Sequence, residues 1–194
     1  MEILNRLLES RDYLMENRVE VLRTYIDKLI ENKEKGKYWC LARHMYAVSQ
    51  FAAMLAIKRG LNPEIAIMTG LLHDIYTLLT DNHDDHANLG AIKAKEILTE
   101  LKITTPEETS MICNAIKNHS SKGTAHSGYS QTLKDADVLS HYFHNPSLGL
   151  ETIGKQNYEI EKMILTKLFD ELELNRDEYL PVDRFKSIVK NCEN

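Results

Sequence analysis

Apolar residues recur every three or four positions along nearly the whole chain, while the strict alternation of a half-buried strand is almost absent. This periodicity predicts an all-α fold. A pair of helices is expected over about 2–16 and 18–34, with Val21, Leu22, Tyr25, Ile26 and Leu29 on the second. After Gly36 a long helix is expected over about 38–59, stopping at Gly60. Asn62-Pro63-Glu64 then supplies a cap, a first-turn proline and an acid matched to the helix dipole, opening a helix expected to reach about Leu79. The polar run Thr80-Asp81-Asn82-His83-Asp84-Asp85 reads as a loop, followed by a helix over about 85–101. Thr105-Pro106-Glu107-Glu108 has the form of a capping box, and its helix should end at Asn118 or His119. A glycine-containing loop over 120–128, helices over about 130–143 and 150–172, and a short helix after Pro181 complete the chain.

A length of 194 residues with 43% hydrophobic content suits one domain, which buries roughly 70% of its unfolded surface without staples. The expected organisation is a single domain over 1–194, with flanking helices in 1–36 and 145–194 packed on a core of 37–144. The net charge of −5 fits poorly with binding duplex nucleic acid, which relies on neutralising many phosphates. It leaves room for a small phosphorylated substrate, because a bound dication reverses the local field. Three widely spaced cysteines, Cys40, Cys113 and Cys192, have no CxxC pattern and read as reduced, mostly buried thiols of a cytoplasmic protein. The opening segment mixes acids with bases, and no apolar run is long enough to span a bilayer, so no membrane partner is expected.

The chain has 8 histidines, all between His44 and His144. Helical spacing shows where several of them point. Leu41, His44, Val48, Phe51 and Leu55 share one stripe, and His73-Asp74 lie beside the stripe of Ile65, Met68, Leu72 and Ile75. His86 shares a face with Gly90, Ala94 and Ile97, and His119 shares one with Ile112 and Ala115. Asp137 follows Leu133 by one turn, beside Ala136, Leu139 and Phe143. Four inward imidazoles and two inward carboxylates on successive helices cost several kcal/mol unless a shared charge compensates them, and a metal site supplies that charge. His83 and His126 read as loop residues, and His141 and His144 as helix-end residues that complement the dipole. Imidazole and carboxylate donors without thiolate suit Mn, Fe, Co, Ni, Zn or Mg.

The ordered segments Cys40-Leu41-Ala42-Arg43-His44, Gly70-Leu71-Leu72-His73-Asp74-Ile75 and Leu133-Lys134-Asp135-Ala136-Asp137-Val138-Leu139 resemble the HD superfamily of metal-dependent phosphohydrolases over about half the chain. The resemblance implies a single HD-domain-like helical bundle of about eight or nine helices. It implies one ion held by His44, His73, Asp74 and Asp137. Asp85-His86-Ala87-Asn88-Leu89-Gly90-Ala91 and Ala115-Ile116-Lys117-Asn118-His119-Ser120 resemble the added histidines of subfamilies with a second ion, held there by Asp74, His86 and His119. One or two divalent ions per chain are therefore expected.

The implied activity is hydrolysis of a phosphate ester of a nucleotide or small molecule by a metal-activated water. Asp74 is the catalytic candidate that orients this water or accepts its proton. Two substrates of relatives do not transfer. Ile75-Tyr76-Thr77-Leu78 stands where the hydrolases of (p)ppGpp carry an acidic pair, and the Gly-Tyr-Pro signature of cyclic-di-GMP phosphodiesterases is missing. Lys117, Lys122, Lys134 and Arg43 are the candidate cations for substrate phosphate, with Lys122 foremost, and no Walker-type loop is present. Two alternatives stay open: an HD-type di-iron oxygenase, or a regulatory module that binds metal or nucleotide without turnover. The histidine-free flanks are candidates for a substrate lid or a homodimer surface.

Overall fold

A computed structural model describes residues 15–31, 33, 38–144 and 155–176, with side chains of the last segment described from 159 onward. Its helices are α1 (Arg18–Glu31), α2 (Trp39–Lys58), α3 (Pro63–Leu72), α4 (Ile75–Thr80), α5 (His86–Leu101), α6 (Pro106–Asn118), α7 (Gly128–His144) and α8 (Lys155–Glu171). No strand occurs among the described residues, and the fold is all-α. The helices expected over about 2–16 and after Pro181 lie outside the described residues, apart from helical residues 15–16. No helix among the described residues is long and apolar enough to cross a membrane. The chain divides into two compact units, Met1–Ala136 and Asp137–Asn194.

The first unit is built around α3, whose sequence PEIAIMTGLL is apolar on every face. Such a helix is stable only when surrounded, and α1, α2 and α6 pack on it while α5 packs on α4 and α6. Its start is fixed locally: the Asn62 side chain accepts the Glu64 amide at 2.9 Å, with Pro63 in the first turn. The capping box of α6 forms in both directions, Glu108 N–H to Thr105 Oγ1 at 3.2 Å and Thr105 N–H to Glu108 Oε2 at 2.9 Å. Arg18, 5% exposed, ties these starts together. It donates to Glu64 Oε2 at 2.7 Å and to Glu108 Oε1 at 2.8 Å, clamping α1 onto the first turns of α3 and α6.

Three expectations need correction. The buried face of α2 is Ala42, Met45, Val48, Ser49, Ala52, Leu55 and Ala56, rotated from the expected stripe so that Leu41, His44 and Phe51 are half-buried. The cause is backbone contact with α3: a Cβ on Gly70 would lie 2.5 Å from Ser49 Cα and 2.7 Å from Ser49 N. The small-residue face of α2 turns inward to permit this approach, and His44 moves to its edge. The helix expected from Pro63 to about Leu79 is also divided, into α3 and α4, at His73-Asp74. His73 Nδ1 bonds the Gly70 carbonyl at 2.8 Å, placing a side chain in the helical ladder, and Asp74 leaves helical geometry (φ −109°, ψ 21°) to cap α4. The cysteines differ as well. Cys40 is exposed and Cys113 half-buried, both as free thiols, and Cys192 lies outside the described residues.

The second unit joins the C-terminal part of α7, from Asp137, to α8. Tyr142 meets the Phe169 ring edge-on at 5.7 Å, and Phe143 stacks on Phe169 at 6.3 Å. Leu139, Leu165 and Leu168 are buried with them.

Gly70→Ala should destabilise the protein by about 2–3 kcal/mol, because two backbones rather than a flexible side chain must separate. Thr105→Ala should cost only about 1 kcal/mol, the value of one cap. Urea unfolding of both variants checks this ordering, and equal losses would contradict it.

Candidate metal centre

Four histidines of the first unit meet at Asp74. His44 comes from α2, His73 from the end of α3, His86 from the first turn of α5 and His119 from the end of α6. Gly90 lets α5 approach, since a Cβ there would lie 3.3 Å from the His73 carbonyl oxygen. The loop over 81–85 turns on two aspartates in the left-handed region, Asp81 (φ 61°) and Asp85 (φ 51°), and delivers the His83 carbonyl to His86.

The two oxygens of Asp74 address different histidines. Oδ2 lies 3.3 Å from His73 Nε2 and 3.9 Å from His44 Nε2, and those two nitrogens are 3.1 Å apart. Oδ1 lies 3.7 Å from His119 Nε2 and 3.8 Å from His86 Nε2, which are 3.2 Å apart. In each triad the three atoms lie on a circle of radius about 2.0–2.1 Å, which matches an imidazole- or carboxylate-to-metal bond. Both triads are groups that could hold an ion.

The ring nitrogens on the far side decide which atoms are available. His73 Nδ1 bonds the Gly70 carbonyl at 2.8 Å, His86 Nδ1 the His83 carbonyl at 2.8 Å, and His119 Nδ1 the Ile116 carbonyl at 2.6 Å. A carbonyl only accepts, so Nδ1 carries the proton in all three and the neutral ring presents a lone pair at Nε2. His86 and His119 therefore turn two lone pairs toward one another at 3.2 Å, beside a carboxylate. That arrangement is repulsive without a shared positive charge, and a divalent ion fits it. Burial pushes the Asp74 carboxyl up, but His73 and His119 outweigh it when their rings carry positive charge and hold it well below the usual carboxylate range, the effect that a cation between neutral rings would also have. His73 and His119 are buried, whereas the His44 and His86 side chains keep 20% and 27% exposure, so the cluster opens to solvent along those two.

A cavity of about 500 Å³ adjoins the His86 side, lined among others by His83, Asp84, Lys117, Asn118 and Ser121. Lys117 is the exposed cation there. The other candidate cations are placed differently. Lys122 is half-buried in the loop after His119. Arg43 bonds within its own helix, to the Trp39 carbonyl and Cys40 Sγ, both at 3.3 Å. Lys134 is fully buried, and its ammonium donates to the Thr124 carbonyl, to the Ser121 carbonyl at 3.4 Å and to His126 Nδ1 at 2.7 Å. It fastens the loop that follows His119. His126 thus has a structural partner that spacing did not reveal.

Asp137 belongs to the second unit. It is 5% exposed and lies 3.5 Å from His141 Nε2, one helical turn on. His141 Nδ1 faces Glu161 Oε2 of α8 at 3.7 Å. Glu161 was not singled out from sequence. Its signal is an acid on the buried stripe of Ile164, Leu165 and Leu168.

Residues 41–142 match the model of the HD domain, and the chain belongs to that family. It is also similar to ribonuclease Y of Chlorobium luteolum, with 31% identity over 100 residues, a match covering 52% of this chain and 17% of that protein. Among solved structures, a crystal structure described as an HD superfamily hydrolase from an uncultured Thermotogales bacterium aligns over 82% of this chain and 90% of its own, with a TM-score of 0.47 and 19% identity.

Mn²⁺ or Co²⁺ at about 100 times its dissociation constant should stabilise metal-stripped protein by about 2.7 kcal/mol per site. This is a rise in Tm of roughly 5–10 °C for a chain of this size. Thermal scans with and without EDTA measure it, and an unchanged Tm would contradict the lone-pair argument.

Proposed function

We propose that this protein is a metal-dependent phosphohydrolase or phosphodiesterase that cleaves a phosphate ester of a nucleotide or small molecule. The observation that carries the reading is Asp74, whose two oxygens each complete a triad with two imidazole Nε2 atoms. His44, His73 and Asp74 would hold one ion, and the family resemblance makes Asp137 a metal ligand as well. His86, His119 and Asp74 would hold the other. Divalent ions bound there would lower the pKa of water towards about 7 and neutralise charge on phosphoryl oxygens.

The chain's own residues do the remaining work. The main-chain carbonyls of Gly70, His83 and Ile116 fix the tautomers of His73, His86 and His119, so no ring must reorient before binding. Asp74 directs both oxygens at imidazoles, which makes it a shared anchor, and a second water or a substrate oxygen would accept the proton lost by the attacking water. Lys117, exposed on the cavity beside His86, is the cation best placed for substrate phosphate. Asn118 and the loop serines add neutral donors.

Metal-reconstituted protein should hydrolyse bis-p-nitrophenyl phosphate or a member of a nucleotide panel. It should carry two metal atoms per chain, falling to one in His86→Ala. Asp74→Asn should lower kcat/KM by at least about 100-fold. Lys117→Ala should raise KM about tenfold with little change in kcat, the mark of lost substrate binding. The reading fails if Mn, Co, Ni, Fe, Zn and Mg all give no turnover. Iron-dependent oxygen uptake in place of ester cleavage would instead identify an oxygenase.

A further inference from the structure

We infer that His141 is a metal ligand, acting with Asp137 on the same ion and held in orientation by the buried carboxylate of Glu161. The inference rests on the reading of Asp137 as a ligand, and adds to it a histidine and an orienting acid that the family pattern does not include.

The first observation is spacing. Asp137 and His141 are four residues apart on α7, so their side chains lie on one helix face. Two donors at this separation can reach one ion without bending the helix, as paired histidines do in helical zinc sites. The second observation is the direction of the ring. His141 turns Nε2 toward Asp137 Oδ1 at 3.5 Å and Nδ1 toward Glu161 Oε2 at 3.7 Å. His73, His86 and His119 show the same order of atoms. In each, Nδ1 faces an oxygen acceptor and Nε2 stands 3.3–3.8 Å from a carboxylate oxygen of Asp74. A ring so oriented offers its Nε2 lone pair alongside the carboxylate.

The third observation is the position of Glu161. Its side chain is 1% exposed, on the α8 stripe that carries Ile164, Leu165 and Leu168 toward the interior. An ionised carboxylate in such a place costs several kcal/mol unless it serves a positively polarised partner. A histidine whose other nitrogen binds a cation is such a partner, because coordination polarises the remaining N–H toward its acceptor. A plain ion pair of imidazolium with two acids is the competing account.

The test uses the full chain with Mn²⁺ or Co²⁺ as probe, in competition with a chromophoric chelator, together with the visible spectrum of the Co²⁺ form. Asp137→Ala and His141→Ala should each weaken one ion by about 100-fold and leave the other unchanged. Glu161→Gln should weaken that ion about tenfold. His141→Ala should alter the Co²⁺ absorption of the same ion through loss of a nitrogen donor, and His144→Ala, exposed at the helix end, should do nothing. His141→Gln serves if the alanine variant fails to fold, since its amide keeps the bulk. Wild-type affinity and an unchanged spectrum in the His141 variants, alongside weakened binding in Asp137→Ala, would overturn the inference and leave the proposed function standing. Failure of the wild-type chain to bind either metal would overturn both.

Discussion

A carboxylate surrounded by four imidazole nitrogens at 3.3–3.9 Å governs the first unit, because none of its neighbours can be moved independently. Three of the rings are pinned at Nδ1 by carbonyls three residues earlier in the chain, at 2.6–2.8 Å. Pinning settles where those three protons are, and that leaves the lone pairs of His86 and His119 facing each other across 3.2 Å. The backbone must therefore hold α2, α3, α5 and α6 at fixed separations against a repulsion that only a cation relieves. Gly70 against Ser49 and Gly90 against the His73 carbonyl are where two of those separations are set by main chain rather than by adaptable side chains. The Arg18 clamp on Glu64 and Glu108 holds the far ends of α3 and α6, so the ends that carry His73 and His119 have a fixed base.

Much of this was legible in sequence, for identifiable reasons. The Asn62-Pro63-Glu64 start and the Thr105–Glu108 box are local signals, satisfied within four residues, and both appear as read. The inward faces of His86 and His119 followed from helical spacing alone, because α5 and α6 each bury a single ordinary stripe. Spacing misplaced the face of α2 because that face is chosen by a close backbone approach. Such an approach depends on small residues on two helices together and has no signature in either one. The division of α3 from α4 was hidden for a related reason. Apolar periodicity continues through Ile75 and Leu78, and the interruption comes from a ring–carbonyl bond made by His73 itself. A helix pattern cannot reveal that its own histidine will break it.

The cations show the same limit at the level of charge. Proximity in sequence to His119 and Asp137 singled out Lys117, Lys122 and Lys134, with Lys122 foremost, but their surroundings differ. Lys134 is buried, with its ammonium hydrogen-bonded to main-chain carbonyls and His126. Burial pushes its ammonium pKa down, partly offset by Asp135. That charge cannot also bind a solvent-borne phosphate without giving up the loop over 120–127. Lys117, in the last turn of α6, is exposed on the rim of the cavity, where a phosphate would displace solvent instead of protein.

In an acidic chain, attraction for an anionic substrate has to be local, and the distribution of acids around the centre shows how local it is. Asp84 and Asp85 stand at the cavity mouth, while Asp74 is enclosed by imidazoles. On the proposed reading, the mouth without ions would be negative and would repel phosphate. Two dications would raise the enclosed charge by four and reverse the sign of the centre, while the rim acids stay as they are. The rim would then favour a substrate with hydroxyl or amino groups to donate to Asp84 and Asp85 beyond its phosphate, and would disfavour one that carries a second anionic group there. Metal occupancy would thus determine both whether phosphate enters and which part of the ester is left facing the rim.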